Sequence, residues 1–392
     1  MYVTRPLSIY RKYPVTLSIP PPEAPYSGYL IRKDEESEAE DTCCWGAWKN
    51  TRVRKLPFPQ NKILTVVHSS GSEEDGSVDQ DKVLFIPVLD LPLSSNRYYV
   101  IRAEGRYKGQ ACTCSREDDM AACCFCDFVK DVKPRALDYR NTYQQVEIRS
   151  RRHGGFAAKS VAPDGFPPLF LRRKGWELYT SSSQYCKFGE AEGLDASVQM
   201  HLPEFDFPLS DKHSTAMVAG KWYCPFVFVK EGTNLRDQMK NSMFYEMTLE
   251  QRWEEIYMCE NESKDGNAVV VNVSVQREVA SVFGKEAVID DTHGIDGVMW
   301  LRSINHWRGN LRVGLSLAIV EKMRWVQEKG GWVDGEDRDV KVERIEEFEG
   351  EMGWKRFGCY VLVESFVLRR IDGSLLLTWD FRHTHRIQSK WE

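Results

Sequence analysis

Several signals that would assign a chain to a class are missing from this one. No apolar run approaches the roughly 20 residues that a helix needs to cross a bilayer. The N-terminal stretch carries arginines and prolines but no apolar core of the secretory kind. Tyrosine follows the first methionine and the last residues are Ser389-Lys390-Trp391-Glu392, so the usual terminal lipidation signals are also absent. These absences lead to the expectation of an intracellular, cytoplasmic protein. In a reducing compartment its 11 cysteines stay as thiols, and the sequons at Asn261 and Asn272 stay unused. No G-x-S-x-G, H-E-x-x-H, P-loop or G-x-G-x-x-G occurs, which removes the common hydrolase, metalloprotease and nucleotide signatures. Positive charge in bulk is missing as well. A net charge of -5 gives no general attraction to nucleic acid, and no nucleic-acid partner is expected.

What is present describes a well-packed chain. With 392 residues, 42% of them hydrophobic and 12 of them tryptophan, it is long and apolar enough for two or three domains with full cores. One motif recurs three times: a proline, an acid three residues on, a second proline two later and a serine two after that. The copies are Pro20-Glu23-Pro25-Ser27, Pro87-Asp90-Pro92-Ser94 and Pro203-Asp206-Pro208-Ser210. Two prolines that close forbid a regular helix and a central strand, while the acid and hydroxyl can bond nearby amides and fix a turn. Each copy reads as a rigid lead-in to a buried strand, at Tyr29-Leu30-Ile31, Tyr99-Val100-Ile101 and 225–229.

The first two copies agree further, since Cys123-Cys124-Phe125 repeats Cys43-Cys44-Trp45 after an insertion that carries Cys112 and Cys114. The organisation expected is an arm at 1–16, a β unit at 17–82, a second at 83–201 with its insertion and connecting strands, and a third at 202–392. Within the last, 233–258 lacks Gly and Pro, and Leu249, Trp253, Ile256 and Tyr257 fall on one helical face; one or two helices are expected there. Thr248 and Gln251 fit a capping box. A strand reading stays open because Met247, Leu249, Gln251, Trp253, Glu255 and Tyr257 alternate. Val269, Val271, Val273 and Val275 alternate with polar residues, and so do alternate positions over 313–325. The run around Val361-Leu362-Val363 meets Leu375-Leu376-Leu377 across Asp372-Gly373, the strongest local hairpin signal. The fold class expected is α+β, predominantly β. Tandem small β-rich units make up the N-terminal half, and a long-stranded antiparallel sheet with one or two helices makes up the C-terminal half.

Chemistry has few candidates. Cys112, Cys114, Cys123, Cys124 and Cys126 lie close enough in sequence to supply the four soft ligands zinc needs, but not with the spacing of paired C-x-x-C knuckles and with no histidine nearby. Buried or idle thiols, or reversible acylation, account for them as well, and no cofactor is expected. His383 and His385 share a strand face near Asp380 and fit either a metal or a half-exposed strand. Cys186, Cys224 and Cys259 need a positioned histidine to act as nucleophiles. Basic stretches at Arg52-Val53-Arg54-Lys55, 149–153 and Arg172-Arg173-Lys174 read as solvated loop charge.

Longer stretches carry a resemblance. Pro92-Leu93-Ser94-Ser95-Asn96-Arg97-Tyr98-Tyr99-Val100-Ile101, Cys123-Cys124-Phe125-Cys126, Val161-Ala162-Pro163-Asp164-Gly165-Phe166-Pro167-Pro168 and Tyr245-Glu246-Met247-Thr248-Leu249-Glu250-Gln251-Arg252-Trp253 resemble a plant-specific family known only as domain of unknown function 1262. The resemblance implies a plant source and transfers no functional residues. The leading expectation is therefore a non-catalytic intracellular binding protein whose partner is a protein or small ligand, because tandem β units offer edges and grooves. A membrane-acting, pore-forming-like β protein is the alternative, drawing on the alternation over 313–325, where Glu321 opposes insertion. A zinc-containing or hydrolytic enzyme comes third.

Overall fold

A computed structural model describes the chain except for residues 44–47, 70–77, 124–125, 186, 262–265, 291–296, 305–310, 336 and 352. Strand dominates, in two large sheets. The first is antiparallel and seven-stranded, in the order Phe156–Ser160, Gln145–Ser150, Arg97–Arg102, Val78–Pro87, Lys62–Ser69, Glu177–Tyr185 and Arg52–Val53. It is covered on both sides. Val83, Phe85, Tyr98 and Val100 enter one core with Phe58 and Trp176. Leu84, Ile86, Tyr99 and Ile101 enter another with Leu30, Phe228 and Ile319. A sheet buried on both faces needs continuous apolar strands, which is why Val83-Leu84-Phe85-Ile86 and Tyr98-Tyr99-Val100-Ile101 do not alternate.

The second sheet has twelve strands and is built on Phe244–Glu260, Arg356–Arg370 and Leu375–Trp391. The last two meet at the expected hairpin, where Gly373 takes φ +86° and Ser374 N donates to Asp372 Oδ1 at 2.9 Å. Met217–Pro225, Tyr2–Pro6 and Gly28–Arg32 continue the sheet on one side; Glu278–Val282, Lys285–Asp290, Val298–Ser303 and Arg312–Ser316 continue it on the other. Ala268–Gln276, the strand of alternating valines, instead forms a separate ribbon with Asp339–Glu347.

Three expectations are corrected. Within 233–258 only Leu235–Asn241 is helical, and Phe244–Glu260 is a single long strand, so Thr248 and Gln251 form no capping box. The alternating pattern prevails because both strand faces are satisfied. Met247, Leu249, Gln251 and Trp253 are buried on one face. On the other, Arg252 Nη2 lies 2.9 Å from Glu254 and 3.0 Å from Asp380, and Arg382 Nη2 lies 2.6 Å from Glu254. Second, 313–325 is not one strand. Arg312–Ser316 is strand and Leu317–Lys329 is helix, so the alternation on which the pore-forming alternative drew ends at Ser316. Val313, Leu315 and Ile319 are buried as expected, and Leu317 is half-buried. Ile319, Val320, Met323 and Val326 have the spacing of a buried helical face, and Gly330 follows its last residue. Third, 225–229 is no strand equivalent to the other two, because Phe226–Phe228 is a 3₁₀ turn. Tyr29 and Tyr99 do lie in strands, one in each sheet.

Candidate functional site

Glu278–Val282, Lys285–Asp290 and the middle of Leu375–Trp391 are neighbours in the large sheet, and one row across them is Trp379, Ala280 and Ala287. Two alanines beside a tryptophan leave a hollow above the sheet. The loop after Leu317–Lys329 roofs it: Gly331 takes φ +92° and Trp332 N donates to Gln327 O at 2.9 Å, which turns the Trp332 indole inward against Phe381. The cavity holds about 390 Å³, within the range of small-molecule sites.

Its polar groups are few and placed. Trp379 Nε1 donates to Glu278 Oε2 at 3.1 Å. Burial raises the Glu278 carboxyl above the usual carboxylate range, against the opposing pull of Arg324 and of the indole bond. Arg277 Nη1 donates to Val333 O at 2.9 Å, and its guanidinium lies so close to Gly335 that a Cβ there would come within 2.8 Å. Asp334, Asp337 and Arg338 complete the polar lining. Trp332 is 3% exposed, yet its indole N–H has no hydrogen-bond partner among the described residues. The indoles with Ala280, Ala287, Val288 and Ile289 make the apolar part of the lining, and Arg277, Glu278, Asp334, Asp337 and Arg338 its charged rim.

The candidates named from sequence lie elsewhere. Cys112 and Cys114 are buried in the core of the seven-stranded sheet, and burial pushes their thiols up to about 12 and about 11. Cys123 and Cys126 face each other in the register of the ribbon Met120–Cys123 with Cys126–Val129, and Cys124 lies outside the described residues. Among the described residues no group of three or more His, Cys, Asp or Glu is placed to hold a metal ion.

His383 and His385 do come together, with ring centroids 5.5 Å apart. His383 is part of a buried network, its Nε2 lying 3.0 Å from Gln327 Oε1 and 3.7 Å from Glu364. Asp380 points to the opposite face of the strand, toward Arg252 and Ser365, and does not join the two imidazoles. Burial raises the Cys224 thiol to about 11 and also raises that of Cys259; Cys186 lies outside the described residues. The tryptophan cavity escaped the sequence reading because its parts come from strands 278–290, the loop 331–338 and Trp379. Its one local trace is a pair of alanines where longer aliphatic residues are usual in a strand.

Residues 23–125 match the model of a family described as a protein of unknown function (DUF1262). No curated protein sequence matches the chain. Among solved structures, the crystal structure of Cry35Ab1 is similar over 85% of this chain and 90% of that one, at 12% identity and a TM-score of 0.46. No helix among the described residues is long and apolar enough to cross a membrane.

Proposed function

We propose that the protein is a non-catalytic binding protein whose small-ligand site is the cavity between Trp332 and Trp379. The observation that carries this reading is the hollow itself: Trp332 and Trp379 stand around a cavity of about 390 Å³ whose strand row is narrowed to Ala280 and Ala287. The indoles and Ala280, Ala287 and Ile289 suit a flat or compact apolar body. The Glu278 carboxyl, fixed by the Trp379 indole N–H, supplies an acceptor toward hydroxyl or amide groups.

The test is a thermal-shift and tryptophan-fluorescence screen of a fragment library of aromatic acids, amides and polyols. Binders should quench the indole emission and raise the melting temperature. Ala287→Leu, which fills the floor of the cavity, should abolish both effects without unfolding the protein. Fragments that bind Ala287→Leu as well as wild type would overturn the assignment. Chemical turnover of a bound fragment would overturn the non-catalytic reading.

A further inference from the structure

Three basic stretches that are far apart in sequence meet at one end of the seven-stranded sheet. Arg52 and Val53 form its edge strand, paired with Leu178 and Tyr179. The loop through Arg151, Arg152 and His153 returns beside it, and Gly154 sits 3.8 Å from the Arg52 guanidinium, measured from the position of an added Cβ. That loop in turn lies on the one that follows Lys174. Gly175 N donates to Phe156 O at 2.8 Å, and a Cβ on Gly155 would stand 2.7 Å from Gly175 O. Gly154 and Gly155, with φ +89° and +70°, permit this close approach. Arg52 and Arg54 then border two adjoining cavities. One of about 380 Å³ is shared with His153. The other, of about 630 Å³, is shared with Lys55 and extends to Pro14 and Leu17; its two carboxylates, Glu40 and Asp41, are held by Arg11 and Lys33 and leave Arg54 and Lys55 unpaired among the described residues.

Most of this charge is uncompensated. Arg52 is held by Glu177 at 2.5 Å and Arg149 by Glu147 at 2.7 Å. Arg54, Lys55, Arg151, Arg152 and Lys174 are exposed, and none has an ion-pair partner among the described residues. In a chain of net charge -5 such a concentration is a placement, not a reflection of composition. Beside the larger cavity, the turn Pro14–Ser18 and its flanks present Tyr13, Val15 and Ile19 to solvent, at 62%, 81% and 52% exposure.

We propose that this end of the sheet is a docking surface for an anionic lipid bilayer, with the arginines and lysines on the headgroups and Val15 and Tyr13 inserted among them. The cations supply long-range attraction to a negative leaflet, and the apolar side chains supply contact that falls away when no bilayer is present. Nucleic acid would use the cations but leave Val15 and Ile19 without a partner, so lipid accounts for both halves of the surface. The surface is independent of the tryptophan cavity, and either proposal can fail alone.

The test is flotation of the full-length protein with phosphatidylcholine vesicles, with and without phosphatidylserine or phosphatidylinositol phosphates. Binding is expected to the anionic vesicles only and to weaken with salt. Replacing Arg54, Lys55, Arg151 and Arg152 together with serine should lower the binding constant about tenfold or more. Val15→Ser should lower it at unchanged charge, and circular dichroism of both variants should match wild type. Inorganic phosphate at millimolar concentration should not displace the vesicles. Failure to float with anionic vesicles, equal binding to neutral ones, or binding unchanged in both variants would overturn the proposal. So would displacement by free phosphate, or duplex RNA binding lost in the serine variant when vesicle binding is absent.

Discussion

The backbone amide of Ser27 donates to Asp90 Oδ1 at 3.1 Å, and the amide of Asp90 donates back to Ser27 O at 2.7 Å. The serine of the first proline motif and the acid of the second are thus clasped to each other, and each motif's turn is completed from outside itself. Asp90 also has φ +63°, a conformation that Asp and Asn tolerate better than alanine does. Asp90→Ala should therefore destabilise the protein by about 1–2 kcal/mol, and Asp90→Asn, which keeps an acceptor oxygen, by clearly less. Urea unfolding of both variants checks this; equal losses would show that the clasp contributes through charge alone.

Glu364 is buried at the centre of a polar network. Gln251 Nε2 and Gln327 Nε2 each donate to it at 2.7 Å, and Gln199 Nε2 donates at 3.1 Å. Burial pushes its carboxyl up, but the interactions with His383, Gln251 and Gln199 pull it down and prevail, so it lies below the usual carboxylate range. A carboxylate whose folded pKa is depressed adds stability that is present above its unfolded pKa and is lost as pH falls through the folded value. Glu364→Gln places an amide among amide donors and should cost about 2–4 kcal/mol at neutral pH. Its unfolding free energy should begin to converge on that of wild type as pH falls below the unfolded glutamate value of about 4.3. A gap that does not change with pH would argue against an ionised Glu364.

On Leu317–Lys329, Lys322 is wholly buried, donates to Glu23 O, and lies 3.6 Å from the Glu23 carboxylate and 4.4 Å from the centre of the Trp325 ring. Desolvation outweighs the pull of Glu23 and lowers its pKa to about 8. Between about pH 8 and the unfolded lysine value near 10.4, the unfolded chain binds more protons, so this group makes stability rise with pH across that window. The rise should be up to about 3 kcal/mol and should vanish in Lys322→Met. Chemical denaturation at pH 7.5 and pH 10 reads the difference between the two proteins, which cancels contributions from other groups.

The thiols of Cys112, Cys114, Cys224 and Cys359 are buried and raised to between about 11 and about 12, chiefly by desolvation. Since the thiolate is the reactive form, iodoacetamide at pH 8 should leave all four unmodified in the native protein and label them on unfolding, as read by peptide mass spectrometry. Rapid native labelling of Cys112 or Cys114 would show that their site opens.

Features that rest on neighbouring residues were legible in the sequence. Asp372-Gly373 marks a hairpin because only a positive φ at the glycine closes that turn, and the alternating valines of 268–276 form a strand because each face meets one environment. The predominance of β structure follows from many such local signals. The choice between helix and strand at 244–260 and 317–329 did not follow, because each segment carries both periods. Phe244–Glu260 became a strand because Arg356–Arg370, about a hundred residues on, offers a ladder of matching length and Asp380 and Arg382 pair with the charged face. Leu317–Lys329 became a helix because it covers a core already supplied with strands, and its lysine at 322 could be buried only where Glu23 arrived from the first proline motif. The tryptophan cavity belongs with these. Trp332, Trp379, Ala280 and Ala287 come to line one cavity only when three distant segments are stacked, and burial and long-range pairing are properties of that stacking, which no single stretch of sequence carries.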